Sequence, residues 1–241
     1  MELGKKTSMT FSTDLIRKHR KMNSYVTDIE EVQRNPDEKF KDLKLQSIRA
    51  GDIALVAHRY KLIRKYAFAI PNLEALSAIS EYKKIIEIGC GTAYWAYLLR
   101  GLFNVDIIAM DAYPIQLGIN PYFSPAEKIL ASEDRCYIIE QSKAYIDDVI
   151  FPTKAMVEFT ATTRALFICW PSFADDWGFE WLKYYYEKGG KTLIYIGEGI
   201  GGCTGTDEFH NFIDTHFKEI KHIGLQRYEG IHDSLTIFER I

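Results

Sequence analysis

Residues 84–96 read Lys-Ile-Ile-Glu-Ile-Gly-Cys-Gly-Thr-Ala-Tyr-Trp-Ala, and residues 105–111 read Val-Asp-Ile-Ile-Ala-Met-Asp. The two stretches predict an apolar strand, a glycine turn, a helix, a second apolar strand and a closing carboxylate, Asp111. In a doubly wound sheet, this succession brings the turn and the acid to the carboxyl ends of neighbouring parallel strands, where nucleoside-containing ligands bind. The sequence therefore predicts an α/β fold, a doubly wound and mostly parallel sheet, with a ligand site at the glycine turn.

The glycine turn carries residue types that a bound ligand would need. Gly89 and Gly91 allow the backbone to approach a ligand closely, because neither has a Cβ atom. Glu87 stands near the end of a strand predicted to be buried on both faces, a costly place for an acid unless it bonds a ligand or the turn. A dinucleotide fingerprint would place its third glycine at Tyr94. The bulky side chain there disfavours NAD and FAD, so an NAD-linked oxidoreductase stays only as a third alternative.

Residues 87–93, Glu-Ile-Gly-Cys-Gly-Thr-Ala, resemble the first motif of the class I S-adenosylmethionine-dependent methyltransferases, an acid followed by x-Gly-x-Gly-x-Gly. Ala93 takes the place of the last glycine. The resemblance extends over about residues 70–241 and implies a seven-stranded sheet of order 3-2-1-4-5-7-6 with an antiparallel terminal strand pair. Short segments at residues 94–96, 169–171 and 196–199 also resemble one branch of that family, which implies no particular substrate.

The resemblance also implies a cofactor and the residues that hold it. The cofactor would be S-adenosylmethionine, and its product S-adenosylhomocysteine. Glu87, Gly89 and Gly91 would line the methionine end of the cofactor, and Asp111 would hold the ribose. Further cofactor contacts are expected from three more residues, Cys90, Ala112 and Trp170.

Composition and patterning predict one main domain preceded by a basic helical extension. The chain has 241 residues, 47% of them apolar, which is enough for one large core. Residues 1–66 hold 15 Lys and Arg against 9 Asp and Glu, so an anionic partner is possible at this segment. We expect residues 1–69 to form an N-terminal helical extension or lid and residues 70–241 to form the Rossmann-like domain. Residues 1–40 alternate charged and small polar residues, and their contribution to the core is expected to be small.

The remaining elements follow from local periodicity. Helices are predicted over residues 41–66, 73–79, 177–187 and 209–217, and strands at residues 83–88, 105–111, 136–139, 165–170, 191–196, 220–226 and 234–239. No stretch is long and apolar enough for a membrane span, so we expect a cytoplasmic protein without a membrane partner. The four cysteines are far apart and have no histidine cluster at ligand spacing, which indicates reduced thiols and no metal site.

Three residues after the later strands are candidates for the reacting end of the site. Residues 170–173, Trp-Pro-Ser-Phe, are loosely similar to the Asn/Asp-Pro-Pro-Tyr/Phe motif of amino-methyltransferases, and Trp170 could stack on a planar substrate or merely cap the core. Glu198, between two glycines, could orient a nucleophile or accept its proton, or could be a plain loop acid. His232 could be a general base near neutral pH or an ordinary turn histidine. The catalytic candidates are therefore Glu198, Trp170 and His232.

The sequence favours one function and leaves two alternatives open. The first is a methyltransferase that uses S-adenosylmethionine on an unidentified acceptor, which could be a small molecule, a protein or a nucleic acid. The second is a non-catalytic protein that keeps the fold and binds the cofactor or a partner. Ala93 and the altered motif at Trp170 support this second hypothesis. The third is the NAD-linked oxidoreductase already disfavoured by Tyr94.

Overall fold

A six-stranded sheet organises the computed structural model, which describes residues 10–36, 49–123 and 142–241. Its strands are β1 Lys84–Ile88, β2 Asp106–Met110, β3 Ala165–Cys169, β4 Thr192–Gly197, β5 Phe217–Gly224 and β6 Ser234–Arg240. They lie in the order β2-β1-β3-β4-β6-β5, and the first four are parallel, whereas β6 runs antiparallel to both β4 and β5. This confirms the predicted fold class, with one strand fewer among the described residues.

The strand order equals the predicted one without its first member. The strand predicted at residues 136–139 would stand at the edge beside β2, and it lies outside the described residues. At that edge Ile150 forms a parallel bridge with Met110. The antiparallel terminal pair is present in β5 and β6, which are joined by residues 225–233.

Eight α-helices in the described ranges, several of them capped by local sequence, surround the sheet. They are α1 Thr13–Met22, α2 Ser24–Arg34, α3 Ala50–Lys65, α4 Leu73–Ile79, α5 Tyr94–Phe103, α6 Lys154–Thr160, α7 Trp177–Glu187 and α8 Asp207–His216. The side chains of Ser12, Asn72, Thr153 and Thr206 accept backbone N–H bonds at the starts of α1, α4, α6 and α8. The predicted helix over residues 177–187 has the bounds observed for α7.

The core has two layers, one on each face of the sheet. Side chains of successive strand residues point to opposite faces, so Ile85 packs with α2 to α5 and Ile86 packs with α6 to α8. The apolar stripe of α5 is buried, and it consists of Trp95, Leu98, Leu99 and Leu102. Both faces of the parallel strands are thus covered, and the carboxyl ends of the strands remain to form a site.

The first two helices belong to this core, which corrects one expectation. Tyr25 and Ile29 on α2 are fully buried, and the Tyr25 ring stacks on Tyr66 with 4.7 Å between the ring centroids. The expectation that residues 1–40 add little to the core is therefore wrong for residues 10–36. The segment is polar overall, but two large side chains at the right places anchor it. The lid function of residues 1–69 stays a prediction.

Cys90, Cys169 and Cys203 form no disulfide, and Cys136 lies outside the described ranges. Among the described helices none is both long and apolar enough to cross a bilayer.

Candidate functional site

The glycine turn after β1 has a left-handed backbone at alternate residues. The φ angles are 76° at Gly89, 54° at Gly91 and 58° at Ala93. The N–H groups of Gly89 and Cys90 both donate to the carbonyl of Met110, at 2.8 and 3.1 Å. The turn is therefore fixed to the end of β2, and its third left-handed position is occupied by a residue with a Cβ atom.

Replacing Ala93 by glycine is expected to raise the free energy of unfolding by about 0.5 kcal/mol. The left-handed conformation costs a non-glycine residue about 1 kcal/mol, and the greater freedom of glycine in the unfolded chain offsets part of that gain. Ala96→Gly, inside the right-handed helix α5, is the matched control and should lose about 1 kcal/mol or more. Urea unfolding measures both. Equal losses in the two variants would show that Ala93 is not strained.

Asp111 is bonded to the backbone on both of its oxygens. Its Oδ2 accepts the N–H of Gly91 and its Oδ1 accepts the N–H of Tyr113, each at 2.8 Å. Burial raises the pKa of Asp111, and these two hydrogen bonds oppose the shift. An ionised carboxylate has about four acceptor sites, so the predicted contact with a ribose is compatible with these bonds. Ala112, the next residue, is exposed.

Glu87 is the buried acid beneath the turn. Only 1% of its surface is exposed, and its Oε2 has no hydrogen-bond partner among the described residues. Burial, followed by the charge of Asp111, raises the pKa of Glu87 to about 8, while Arg100 acts in the opposite direction. An unpaired buried carboxyl is costly in the absence of a ligand, so Glu87 has unused hydrogen-bonding capacity at the predicted site.

Aromatic rings lie against the glycine turn. A Cβ atom built on Gly91 would stand 2.9 Å from the ring of Phe123, and one on Gly89 would stand 2.5 Å from the ring of Trp177. The Phe68 ring lies 5.9 Å from Phe123 and 5.1 Å from Trp170, between ring centroids. We call these four residues, Phe68, Phe123, Trp170 and Trp177, the aromatic cluster. Because the Phe123 ring contacts Gly91, a ligand that touches the turn there must displace it.

Trp170 contacts both Phe68 of the aromatic cluster and Asp233, which ends the loop between β5 and β6. Its indole N–H donates to Oδ1 of Asp233 at 2.8 Å, and the Arg59 guanidinium lies 5.3 Å from its ring centroid. Its φ angle is 56°, which is rare for a bulky residue and marks a backbone held in place by its neighbours. The ring already stacks on Phe68. Stacking of Trp170 on a planar substrate stays a prediction.

Glu198 and His232 are brought together at the end of β4. Oε1 of Glu198 accepts the backbone N–H of His232 at 2.6 Å, and its Oε2 accepts that of Cys203 at 2.7 Å. Burial alone would raise the pKa of Glu198, but the bonds from Cys203 and His232 outweigh it and lower the pKa to about 2. Glu198 is therefore ionised at neutral pH and joins two loops. The His232 ring is 72% exposed, with Nδ1 3.4 Å from Glu198 Oε1. The catalytic roles of both residues stay predictions.

Asp233 is a site residue that sequence reasoning missed. It is 2% exposed, and burial raises its pKa to about 7, with the Trp170 bond opposing and the charge of Glu198 adding to the shift. The available signal was an acid next to the strand predicted at residues 234–239, but its partner Trp170 is distant in sequence. Neighbouring carboxyl groups with separated pKa values suit acid and base roles, so Glu198 and Asp233 can do different chemistry.

The predicted site residues, together with Asp233, thus form two groups at one sheet edge. The first contains Glu87, the glycine turn and Asp111, and the second contains Trp170, Glu198, His232 and Asp233. The aromatic cluster lies between them, because Phe68 contacts both Phe123 and Trp170.

Comparison with known proteins gives only distant structural likeness. No family model and no curated protein matches the sequence. One similar solved structure is magnesium protoporphyrin IX methyltransferase from Synechocystis PCC 6803 with bound SAM, at 10% identity over 97% of this chain and 100% of that chain, with a TM-score of 0.38. Another is the N-methyltransferase NodS from Bradyrhizobium japonicum WM9 in complex with S-adenosyl-L-homocysteine, at 12% identity over 90% and 98%, with a TM-score of 0.40.

A third similar structure is MtNAS in complex with MTA and tNA, at 10% identity over 94% of this chain and 75% of that chain, with a TM-score of 0.42. At these identities and TM-scores the similarity says nothing about function, and the fold is described from the sheet of this chain alone. The six described strands have the order, and the antiparallel terminal pair, that a class I methyltransferase fold has after its edge strand.

Proposed function

We propose that this protein is an S-adenosylmethionine-dependent methyltransferase whose acceptor is unidentified. The observation that carries the proposal is Glu87, a buried carboxyl with an unpaired oxygen, beside Asp111 and beneath the glycine turn. On a sheet of this strand order, the two acids and the turn fit a ligand that combines a ribose with a positively charged group.

The residues of the first group would hold the cofactor. The glycine turn would contact the methionine end together with Glu87, and Asp111 would accept the ribose hydroxyls. The bound cofactor supplies a methyl group on a positively charged sulfur. Glu87 would then ionise more readily, because a neighbouring cation lowers the pKa of a carboxyl.

The residues of the second group would contact the methyl acceptor. Methyl transfer mainly requires two aligned reactants and exclusion of water, and the aromatic cluster supplies an apolar surface for both. An acceptor that must lose a proton would need a base at neutral pH. Asp233, with a pKa of about 7, fits that role better than Glu198, with a pKa of about 2.

A second candidate function is a binding protein without turnover, and one observation favours it. The rings of Phe123 and Trp177 contact the two glycines over which the cofactor would lie. If these rings did not move, a cofactor could not reach the turn.

Calorimetry with S-adenosylmethionine, S-adenosylhomocysteine and NAD tests the proposal. We expect both sulfur nucleosides to bind and NAD not to bind, because Tyr94 occupies the position of the third dinucleotide glycine. Absence of binding by either sulfur nucleoside at millimolar concentration would contradict the proposed function. Binding without transfer of a labelled methyl group to any component of a cell lysate would favour the second candidate.

Asp111 variants show whether binding occurs at the glycine turn. Asp111→Ala is expected to weaken S-adenosylhomocysteine binding by about 1 to 3 kcal/mol, because charge-assisted hydrogen bonds to the ribose are lost. Asp111→Asn keeps an oxygen for one of the two backbone N–H groups, so it should preserve the turn better while still losing affinity. Unchanged affinity in a folded Asp111→Asn protein would place the cofactor elsewhere. Circular dichroism checks folding.

A further inference from the structure

The loop after β2 places an aromatic ring over the glycine turn. We call residues 120–123, Asn-Pro-Tyr-Phe, the cover segment. Phe123 is 5% exposed, and a Cβ atom built on Gly91 would stand 2.9 Å from its ring. Because glycine has no such atom, the ring can lie directly against the backbone of the turn. The space above Gly91 is therefore occupied by a residue of the chain itself.

Asn120 fixes the backbone of the cover segment to the loop after β2. Its Oδ1 accepts the N–H groups of Tyr122 and Phe123, at 3.0 and 3.2 Å. Its Nδ2 donates to the carbonyl of Tyr113 at 2.8 Å and lies 3.5 Å from Oδ1 of Asp111. Asn120 is buried, so these bonds are shielded from water. The segment is thus bonded next to the acid that we propose to hold the ribose.

A second attachment comes from α3 and from the residues that follow it. Arg64 on α3 is buried and donates from Nη1 to the carbonyl of Tyr122 at 2.6 Å. The Phe68 ring meets the rings of Phe123 and Tyr122 edge-on, with 5.9 and 6.5 Å between the ring centroids. The cover segment is therefore held from two sides, which makes its position over the turn a packed contact of the fold.

Two observations favour Phe123 over Trp177 as the ring that moves. Trp177, which covers Gly89, begins the helix α7 and packs against the core of one sheet face. Phe123 lies in a loop, and the cover segment follows Gly118, which has a φ angle of 68°. A Cβ atom built on Gly118 would meet no atom within 4 Å. Glycine adopts both signs of φ at little cost, so the backbone can turn at this position.

We propose that the cover segment is an autoinhibitory contact, in which Phe123 excludes the cofactor from the glycine turn until the segment swings away about Gly118. The inference rests on the proposed function, because the cofactor must lie over Gly91 to compete with the ring. The ribose would also bond Asp111, whose Oδ1 the Asn120 amide approaches. The closed arrangement lowers the apparent affinity in proportion to the fraction of protein that is open.

Phe123→Ala is expected to bind S-adenosylhomocysteine about ten-fold more tightly than the unmodified protein, which corresponds to an open fraction of about one tenth. Its association should also be faster, because no ring has to move first. Leu117→Ala, an exposed residue of the same loop, is the matched control and should bind like the unmodified protein. Calorimetry and stopped-flow fluorescence measure the two quantities. Weaker binding by Phe123→Ala would mean that the ring supports the cofactor, and would overturn the proposal.

Phe123→Leu is a smaller change that keeps an apolar side chain over the turn. We expect its affinity for S-adenosylhomocysteine to lie between those of the unmodified protein and Phe123→Ala. It also keeps the proposal testable if Phe123→Ala does not fold. An affinity equal to or below that of the unmodified protein would then overturn the autoinhibitory contact.

Thermal unfolding without any nucleoside tests the contact independently of the cofactor. Phe123→Ala should lower the Tm by several degrees, because a buried ring is removed. Leu117→Ala should lower it less, because its side chain is exposed. Equal Tm values in the two variants would show that the ring is not packed on the turn, and would overturn the proposal.

The binding and unfolding measurements together separate this inference from the proposed function. Equal binding of S-adenosylhomocysteine by the unmodified protein and Phe123→Ala would overturn only the autoinhibitory contact. Absence of binding by every folded variant would contradict the proposed function, on which the inference rests. Tighter binding by Phe123→Ala, together with its lower Tm, would support both.

Discussion

Glu87→Gln is expected to stabilise the protein by about 3 to 5 kcal/mol at pH 8 and to change its stability little near pH 4.5. Burial is the main reason that the pKa of Glu87 lies near 8 instead of its ordinary value of 4.5. Glutamine has nearly the same shape and no charge, so it avoids the cost of an ionisable group in this position. The magnitude corresponds to about 1.4 kcal/mol for each unit of pKa difference.

The direction of the pH dependence follows from proton uptake. Between pH 4.5 and pH 8 the folded protein holds a proton on Glu87 that the unfolded chain has released. The folded state binds more protons there, so the contribution of Glu87 to stability falls as the pH rises through this window. Below pH 4.5 both states hold the proton, and the difference between the two proteins should nearly vanish.

Urea unfolding of both proteins at several pH values between 4.5 and 8 measures the effect. Glu74→Gln, on the exposed first turn of α4, is the matched control and should show no such trend. If the difference in free energy of unfolding between the Glu87 variant and the unmodified protein were constant across this range, the raised pKa of Glu87 would be contradicted. The same variant should bind S-adenosylhomocysteine more weakly if Glu87 contacts the cofactor.

Tyr25→Ala is expected to lower the free energy of unfolding by about 4 kcal/mol. Truncation of a fully buried aromatic residue leaves a cavity, and such changes cost about 3 to 5 kcal/mol. Tyr25 stacks on Tyr66, meets Tyr94 edge-on, and bonds through its hydroxyl to the Ala67 carbonyl and the Tyr228 hydroxyl. Loss of this side chain should loosen the N-terminal helices from the sheet.

Tyr25→Phe keeps the ring and removes only the hydroxyl, so it separates packing from hydrogen bonding. We expect a loss of about 1 kcal/mol, the usual net value of hydrogen bonds of this kind. Thermal or urea unfolding distinguishes the two variants. If Tyr25→Ala cost no more than Tyr25→Phe, the helices α1 and α2 would be a loosely attached extension, as the polar composition of residues 1–40 predicts.

Most elements of the fold could be predicted from local sequence. Local apolar spacing predicts the helix at residues 177–187. It also predicts the strands around Ile86, Phe167 and Ile194. The burial of α2 could not be predicted in this way. Tyr25 is held by Tyr66, Tyr94 and Tyr228, which come from three other parts of the chain, so no window of local sequence contains the reason for its burial.

The same division applies to the candidate site. The closeness of the glycine turn to Asp111 follows from the sequence, because adjacent parallel strands end at the same sheet edge. The bond between Trp170 and Asp233 joins residues 63 positions apart and depends on β6 entering the sheet next to β4. The low pKa of Glu198 and the raised pKa of Asp233 arise from contacts and burial that only this arrangement provides.

The sequence by itself therefore determined the fold class, the glycine turn and the acid that follows β2, because each depends on short-range periodicity and on the alternation of strands and helices. Only the tertiary structure decided which rings contact the turn and which carboxyl groups lie together at the end of β4. These features require groups from distant parts of the chain to meet, and side-chain packing and burial, not local spacing, decide which of them do.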